Sequence, residues 1–385
     1  MTSLVVLSLP PNAAVDSHGK PQEWLNDWLE TNIGVKHGID SVSLPDFKIG
    51  TLDNLVHQSE EVAKLDQQLQ GIVNKVHEII MGIHGNKTDA VARAELVDGS
   101  TAWEYLQRFS WNSGKYRTEK PVSQLLELIS TEAFSADTDL RQRYAAYTAA
   151  KSNLASLERK QSGDLTVRSL DRLVTKRDIV LDSEYLQSVL VVVSASQHNN
   201  FLNTYETVSP MVVPKSARQI VADKDYVLYS VTVFRKYADE FIAKARESKW
   251  VIRELDFSEN MAADADAEVK NASEQERRLF GEMTRLASAA YNDVIKAWGH
   301  VRTLRVFVES VLRYGLPSVF ITASFVPMKS VDKTESILIA KFGYLAGSAV
   351  ARDKQGRIKD EDLGEYGALV EHDYKPFVIY VSEIP

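Results

Sequence analysis

The sequence predicts a helix-rich α+β protein shaped as an elongated dumbbell. A small α+β domain from mid-chain sits at one end of two long antiparallel neck helices, and a larger domain built from both chain termini sits at the other. Three observations carry this. Apolar residues recur at three- and four-residue spacing over two long stretches, 137–160 and 273–314. Between those stretches, strand-like and helix-like segments alternate as β-α-β-β-α-β. Both chain ends read as strands, so they can share one sheet.

The elements follow in order. Leu4 to Leu9 reads as a strand closed by Pro10 and Pro11, and Trp24 to Leu29 as a short helical stretch. Pro45 and Gly50 punctuate the entry to a helix whose seam is Val62, Leu65, Leu69, Ile72, Val76 and Ile79. Residues 82–99 are mostly polar and read as a loop; Trp103 to Trp111 and Val122 to Ile129 read as helical. The first neck helix covers Asp137 to Lys160, with Leu140, Tyr144, Tyr147, Leu154 and Leu157 inward and Gly163 placed to end it. The middle domain comprises strands at 184–193, 225–234 and 250–257, a short strand at 211–214, and helices at 201–208 and 235–249. Then Phe280, Met283, Ala287, Ala290, Val294, Ala297, Val301, Leu304, Val308 and Val311 repeat without a break. A helix from Ser273 to Tyr314 is roughly 60 Å long, which suggests a coiled-coil-like stalk. A strand at 318–328, a helix at 335–345, a polar stretch at 349–367 and a final strand at 375–384 complete the chain. No internal repeat is visible in the residues.

Composition narrows the function. The 385 residues are 44% apolar and 25% charged, enough for two or three packed cores. A net charge of −8 lacks the basic footprint of a nucleic-acid binder. Eight acids and one lysine between Glu254 and Glu276 account for most of it, and such blocks are usually solvated. With no cysteine, disulfides, thiolate catalysis and Cys-ligated zinc are excluded. The first residues lack a basic leader and read as a strand rather than a signal peptide, and Val189 to Val193 is far too short to span a bilayer. The expectation is a cytosolic protein.

The motifs of chemistry are missing. GIHGNKT at 82–88 has Asn86 between Gly85 and Lys87, follows no strand, and reads as a surface turn rather than a phosphate loop. The eight histidines form no metal-ligand pattern, and His300, beside the apolar seam, reads as a satisfied structural histidine. No G-x-S-x-G elbow and no matched acid/base pair stand out. No cofactor is expected. An enzyme with its pocket in the middle domain is the weakest of the readings.

Charge patterning is more informative. Arg302, Arg305, Glu309 and Arg313 form one helical stripe flanking the seam. It serves either as a salt-bridged structural ladder or as a docking surface for an acidic helical partner. Residues 158–178 carry six bases against four acids, and Lys244, Arg246 and Lys249 cluster beside Trp250. Each group is either a solvated face or a partner-binding edge; Arg168, Arg172, Lys176, Arg177, Lys244, Arg246 and Lys249 are the candidate interface of the middle domain. Trp250 reads as core before interface anchor.

Several long stretches are specific. LPDFKIGTLDNL (44–55), LERKQSGDLTVRSL (157–170), VLDSEYLQSVLVVV (180–193), YETVSPMVVP (205–214), VTVFRK (231–236), KARESKWVIRELDFSE (244–259) and LRVFVESVLRYGLP (304–317) resemble the C subunit of the eukaryotic vacuolar-type proton-translocating ATPase. The resemblance implies a non-catalytic stator component of head, neck and foot. The head would be 163–257, the neck 136–162 and 258–314, and the foot 1–135 with 315–385. It implies binding of E–G heterodimers of the peripheral stalks by head and foot, and of the cytosolic domain of the membrane-sector a subunit by the foot. It also implies release during reversible pump disassembly, a place on the cytosolic face of vacuolar or endomembranes, and, in some members, actin binding. A free actin-binding adaptor using the neck as a spacer is the alternative.

Overall fold

The computed structural model describes residues 2–14, 19–85, 87–181, 183–258, 260–346 and 375–385. The chain divides into two compact units, Met1–Tyr144 with Glu282–Pro385, and Ala145–Gly281. The polar stretch expected at 349–367 lies outside the described residues.

The first unit opens with strand β1 (Thr2–Leu9), helix α1 (Pro21–Asn32) and strand β2 (Val35–Asp40). Helices α2 (Leu52–His84), α3 (Thr88–Ala94), α4 (Ala102–Gln107) and α5 (Val122–Ser162) follow. The chain passes through the inserted unit as β3 (Leu186–Ser194), α6 (His198–Thr204), β4 (Arg218–Ala222), β5 (Tyr226–Phe234), α7 (Ala238–Glu247) and β6 (Val251–Arg253). It returns along α8 (Met261–Tyr314) and ends with β7 (Ile321–Pro327), α9 (Val331–Phe342) and β8 (Val378–Ile384).

Both sheets are four-stranded and antiparallel throughout. The inserted unit orders its strands β4-β5-β3-β6 and the terminal unit β2-β7-β1-β8. In each, the first and second strands in sequence are joined by a helix, as are the third and fourth, and the order is second-third-first-fourth. This is the split β-α-β arrangement twice over. The repeat that the residues conceal is present in the topology.

Alternation sets the two faces of each sheet. In the inserted unit, Val189, Val191, Val193, Val227, Tyr229, Val231 and Val233 pack under Phe201 of α6 and Phe241 and Ala245 of α7. Leu190, Val192 and Leu228 point to the other face, which Leu165, Leu170 and Val174 of the preceding irregular segment cover. In the terminal unit, Val5, Leu7, Leu9, Ile321, Ala323 and Phe325 pack against Leu25 and Leu29 of α1 and Leu338 and Phe342 of α9. The opposite face, with Val6, meets Val306 of α8, and Ser8 Oγ lies 2.8 Å from Ser310 Oγ.

Several elements differ from the sequence-based expectations. Val122–Ile129 and Asp137–Lys160 are one 41-residue helix, α5. The hydroxyls of Ser130 and Thr131 between them both donate to the Glu127 carbonyl, three and four residues back, which removes their competition with the helix. Gly163 follows that helix without a left-handed backbone; a Cβ there would stand 2.9 Å from the Arg159 carbonyl oxygen. Gly315, at φ 78°, does end α8 in the left-handed region. The acidic block contributes the first turns of α8, where Asp264, in the first of them, complements the helix dipole. The loop expected at 82–99 contains the end of α2 and all of α3. The strand expected at 211–214 is a single bridge, Val212 to Val233, and the true edge strand β4 comes later. The helix expected at 201–208 begins and ends earlier, as α6. Strand β2 was not expected at all: VKHGID is short, polar and largely exposed, because it is an edge.

The coiled-coil expectation for α8 holds only in part. Met283 to Val311 of the seam are buried as the spacing requires, yet Tyr291, Ile295, Trp298, Val306 and Phe307 are buried too. From Val294 on, α8 is buried nearly all round and forms the central helix of the terminal unit rather than a one-sided stalk.

Candidate functional site

The charged stripe on α8 lies inside the terminal unit. Arg302 is 8% exposed, and the side chains of Arg305 and Glu309 are 22% and 25% exposed. Their partner is Asp66 of α2, itself 6% exposed. Asp66 Oδ1 accepts from the Trp298 indole N–H at 2.6 Å, and Oδ2 accepts from Arg305 Nη1 at 2.6 Å. Arg302 Nε stands 3.5 Å from the same carboxylate. Arg305 also reaches Glu309 at 3.5 Å. Each guanidinium lies over a ring, Arg302 over Trp298 at 4.7 Å and Arg305 over Tyr380 at 4.2 Å. Burial is the largest influence on both arginines. In Arg302 it prevails and lowers the pKa; in Arg305 the Asp66 carboxylate, then Glu309, outweigh it and raise the pKa. Arg313 donates to the Lys375 carbonyl, and Lys375 pairs with Glu335 of α9 at 2.5 Å, which ties the start of the last strand to the frame.

Sequence reasoning identified the stripe and missed Asp66. The signal was available: a carboxylate interrupts the apolar seam of α2 between Leu65 and Leu69, where a lone charge must find a buried partner.

His300 is a neighbour of this ladder. Its Nδ1–H donates to the Lys296 carbonyl at 2.7 Å, and Nε2 accepts from the Asn112 N–H at 3.3 Å. Phe109, Trp111 and Tyr116 surround the ring with centroids 4.6–4.9 Å away. Burial, the largest influence, pushes its pKa down to about 4. The ring is neutral and satisfied, as its place beside the seam implied.

The basic residues of the inserted unit separate into two groups. Arg168, Arg172, Lys176 and Arg177 belong to the segment whose Leu165, Leu170 and Val174 cover one face of the sheet. Lys244, Arg246 and Lys249 belong to α7 and its end, whose Phe241 and Ala245 cover the other. The sheet stands between them, so they do not form one patch. Arg172 pairs with Asp266 of α8, and Lys244 with Glu240 at 2.8 Å. Arg177, Lys176, Arg246 and Lys249 are exposed. Lys249 ends α7 with φ 62°, and Trp250 beyond it is 3% exposed, its ring 4.8 Å from Phe201 in the core.

Among the described residues, no group of three or more His, Asp or Glu side chains is arranged to hold a metal ion. No described helix is long and apolar enough to cross a membrane.

Comparison with known proteins gives these placements a context. A family model described as the C subunit of V-ATPase matches residues 4–378. The C subunit of the V-type proton ATPase of Saccharomyces cerevisiae is 42% identical, over 99% of this chain and 97% of the relative. The C 1 subunit of the V-type proton ATPase of Mus musculus is 39% identical over 88% of this chain and 87% of its own length. A solved cytoplasmic N-terminal domain of the I subunit, a homologue of the a subunit of V-ATPase, covers 88% of this chain at 15% identity with a TM-score of 0.33, too low to carry an argument.

Proposed function

The chain belongs to the family of V-ATPase C subunits, and on that premise we propose that it is a non-catalytic stator component of the vacuolar-type proton-pumping ATPase. In this reading it links the E–G peripheral stalks of the ATP-hydrolysing sector to the membrane-sector a subunit and takes part in reversible assembly on the cytosolic face of the membrane. The single observation that carries it is the 42% identity to the Saccharomyces cerevisiae C subunit over almost the full length of both chains. Two features support it. Each unit has a sheet with its own core, so each can present a separate attachment surface. Helices α5 and α8 run without interruption from one unit into the other, as a torque-resisting tie requires. Joining two weak attachments through such a tie raises avidity by effective concentration, and loss of either then frees the protein from the complex.

The proposed shape is head, neck and foot: 163–257 as head, 136–162 and 258–314 as antiparallel neck, 1–135 and 315–385 as foot. The Arg302–Arg305–Glu309 ladder is internal framework that ties the neck to the foot, and the exposed bases of the head face its stalk. No observation among the described residues favours the actin-binding adaptor.

The test is calorimetric titration of the full chain with purified E–G heterodimer, followed by charge reversal of each basic group separately. Binding by the parent chain is expected, with about tenfold or greater weakening from R172E/R177E or from K244E/R246E, but not equally from both, because the two groups lie on opposite faces of the sheet. No binding by the parent chain overturns the stator reading.

A further inference from the structure

Arg302 is buried without the partners that its burial demands. A guanidinium carries five N–H donors. Here Nη2 reaches the Val381 carbonyl at 3.4 Å, while Nε and Nη1 are fully enclosed with no hydrogen-bond partner among the described residues. The ion pair with Asp66 does not supply one, because at 3.5 Å the Nε contact is Coulombic only and the carboxylate is already engaged by Trp298 and Arg305. Leaving a charged donor unsatisfied in the interior costs more than leaving a neutral one.

Beside the guanidinium lies a cavity of about 20 Å³, bounded by Arg302, Thr303 and Val306 of α8, Leu4 and Val6 of β1, and Phe109. The strand register places Ser382 opposite Leu4 and Ser324 opposite Val6, on the same face of the sheet. Both hydroxyls are also buried with no hydrogen-bond partner among the described residues. Neither serine lines the space, but Arg302 does, and the space is larger than the roughly 10–15 Å³ that a single water needs. The Thr303 hydroxyl is not among the unmet groups, since it donates to the Gly299 carbonyl at 2.9 Å.

Charge decides what fits. Arg302 and Arg305 face Asp66 and Glu309, two positive groups against two negative ones. The cluster is balanced, so an anion in the cavity would leave an uncompensated buried charge, whereas a neutral acceptor would not. We propose that one water molecule is a fixed constituent of the terminal unit, held between α8 and β1 as the acceptor for Arg302 Nη1–H. Its own hydrogens are then available to the Thr303 hydroxyl oxygen, which lines the same space. The water allows a full positive charge to stay inside the helix–sheet joint, where the surrounding contacts are apolar.

The experiment is a crystal structure of the full chain at a resolution that shows ordered water, from crystals grown in chloride and again with bromide replacing it. The expected result is solvent density within hydrogen-bonding distance of Arg302 Nη1 and no anomalous bromide peak there. An empty cavity, or a bromide peak in it, overturns the proposal. In solution, water-oxygen magnetic relaxation dispersion compares the parent with Arg302→Met. The variant is expected to lose one long-lived internal water, and an unchanged count overturns the assignment. If Arg302→Met does not fold, the two crystals of the parent chain decide alone.

Discussion

The two sheets share one topology and differ in how their second face is closed. In the terminal unit the closing element is α8, a helix whose own backbone is satisfied and whose side chains meet Val6, Ser8 and Asp66. In the inserted unit the closing element is the irregular segment after α5, whose backbone needs outside partners. Arg253 of β6 donates to the carbonyls of Leu165 and Arg168 at 3.0 Å each. Asp223 accepts from the Leu165 N–H at 3.2 Å, and Ser230 donates to the Asp178 carbonyl at 2.5 Å. The same strand order thus supports a rigid joint in one unit and a cover held by separate pins in the other. A pinned cover is the easier of the two to displace, since each pin can open without unfolding a helix.

The largest expected effect is on the rigid joint. Asp66→Ala removes the acceptor shared by Trp298 and Arg305 and leaves Arg302 facing no carboxylate. A loss of about 3–5 kcal/mol in denaturant unfolding is expected, since one side of a buried ion cluster is left uncompensated. A loss below about 1 kcal/mol would mean that the joint is no firmer than the pinned cover.

Protonation tests the same unit next. His300 ionises near its ordinary value of 6.5 when unfolded and near 4 when folded. Between those values the unfolded chain binds more protons, so stability falls as pH drops, by about 1.4 kcal/mol per unit and about 3 kcal/mol in all. His300→Gln is expected to flatten that part of the stability–pH curve. An unchanged slope would place the titrating group elsewhere.

The pinned cover has a smaller expected cost. Arg253→Ala leaves the Leu165 and Arg168 carbonyls without their donor, for a loss of about 2 kcal/mol. Hydrogen exchange should rise first in residues 163–180 and leave β3 and β5 protected. Uniform exchange across the unit would show that cover and sheet open together and would erase the distinction drawn here.

The contrast also explains what was legible in the sequence. Strands β3 and β5 were found because clean β-branched runs report two packed faces, and the C-terminal end of α8 from its long seam and Gly315, whereas its start at Met261 was set too late, at Ser273, because the acidic block carries no seam. The edge strands β2 and β4 were missed or misplaced because VKHGID and RQIVA carry little apolar signal when one side meets solvent. The duplicated topology was invisible because strand order depends on long-range pairing, and the terminal copy is interrupted between β2 and β7 by most of the chain. The Arg302–Arg313 stripe was readable as spacing, but its inward direction depended on Asp66, more than two hundred positions earlier. The two basic groups of the inserted unit looked alike in sequence and were separated only by the parity of β3.

The smallest effect on stability is expected where the cover meets α8. Arg172 and Asp266 are paired with about half of each side chain exposed, 56% and 51%. An ion pair so open to water contributes less than about 1 kcal/mol and weakens as salt rises. Arg172→Ala should therefore leave unfolding almost unchanged while raising exchange in the 168–178 segment at low salt. High salt should reproduce that effect in the parent chain. A variant that lost more than about 2 kcal/mol would show that the cover is anchored mainly at α8, and that the inserted unit, like the terminal one, depends on that helix to close its sheet.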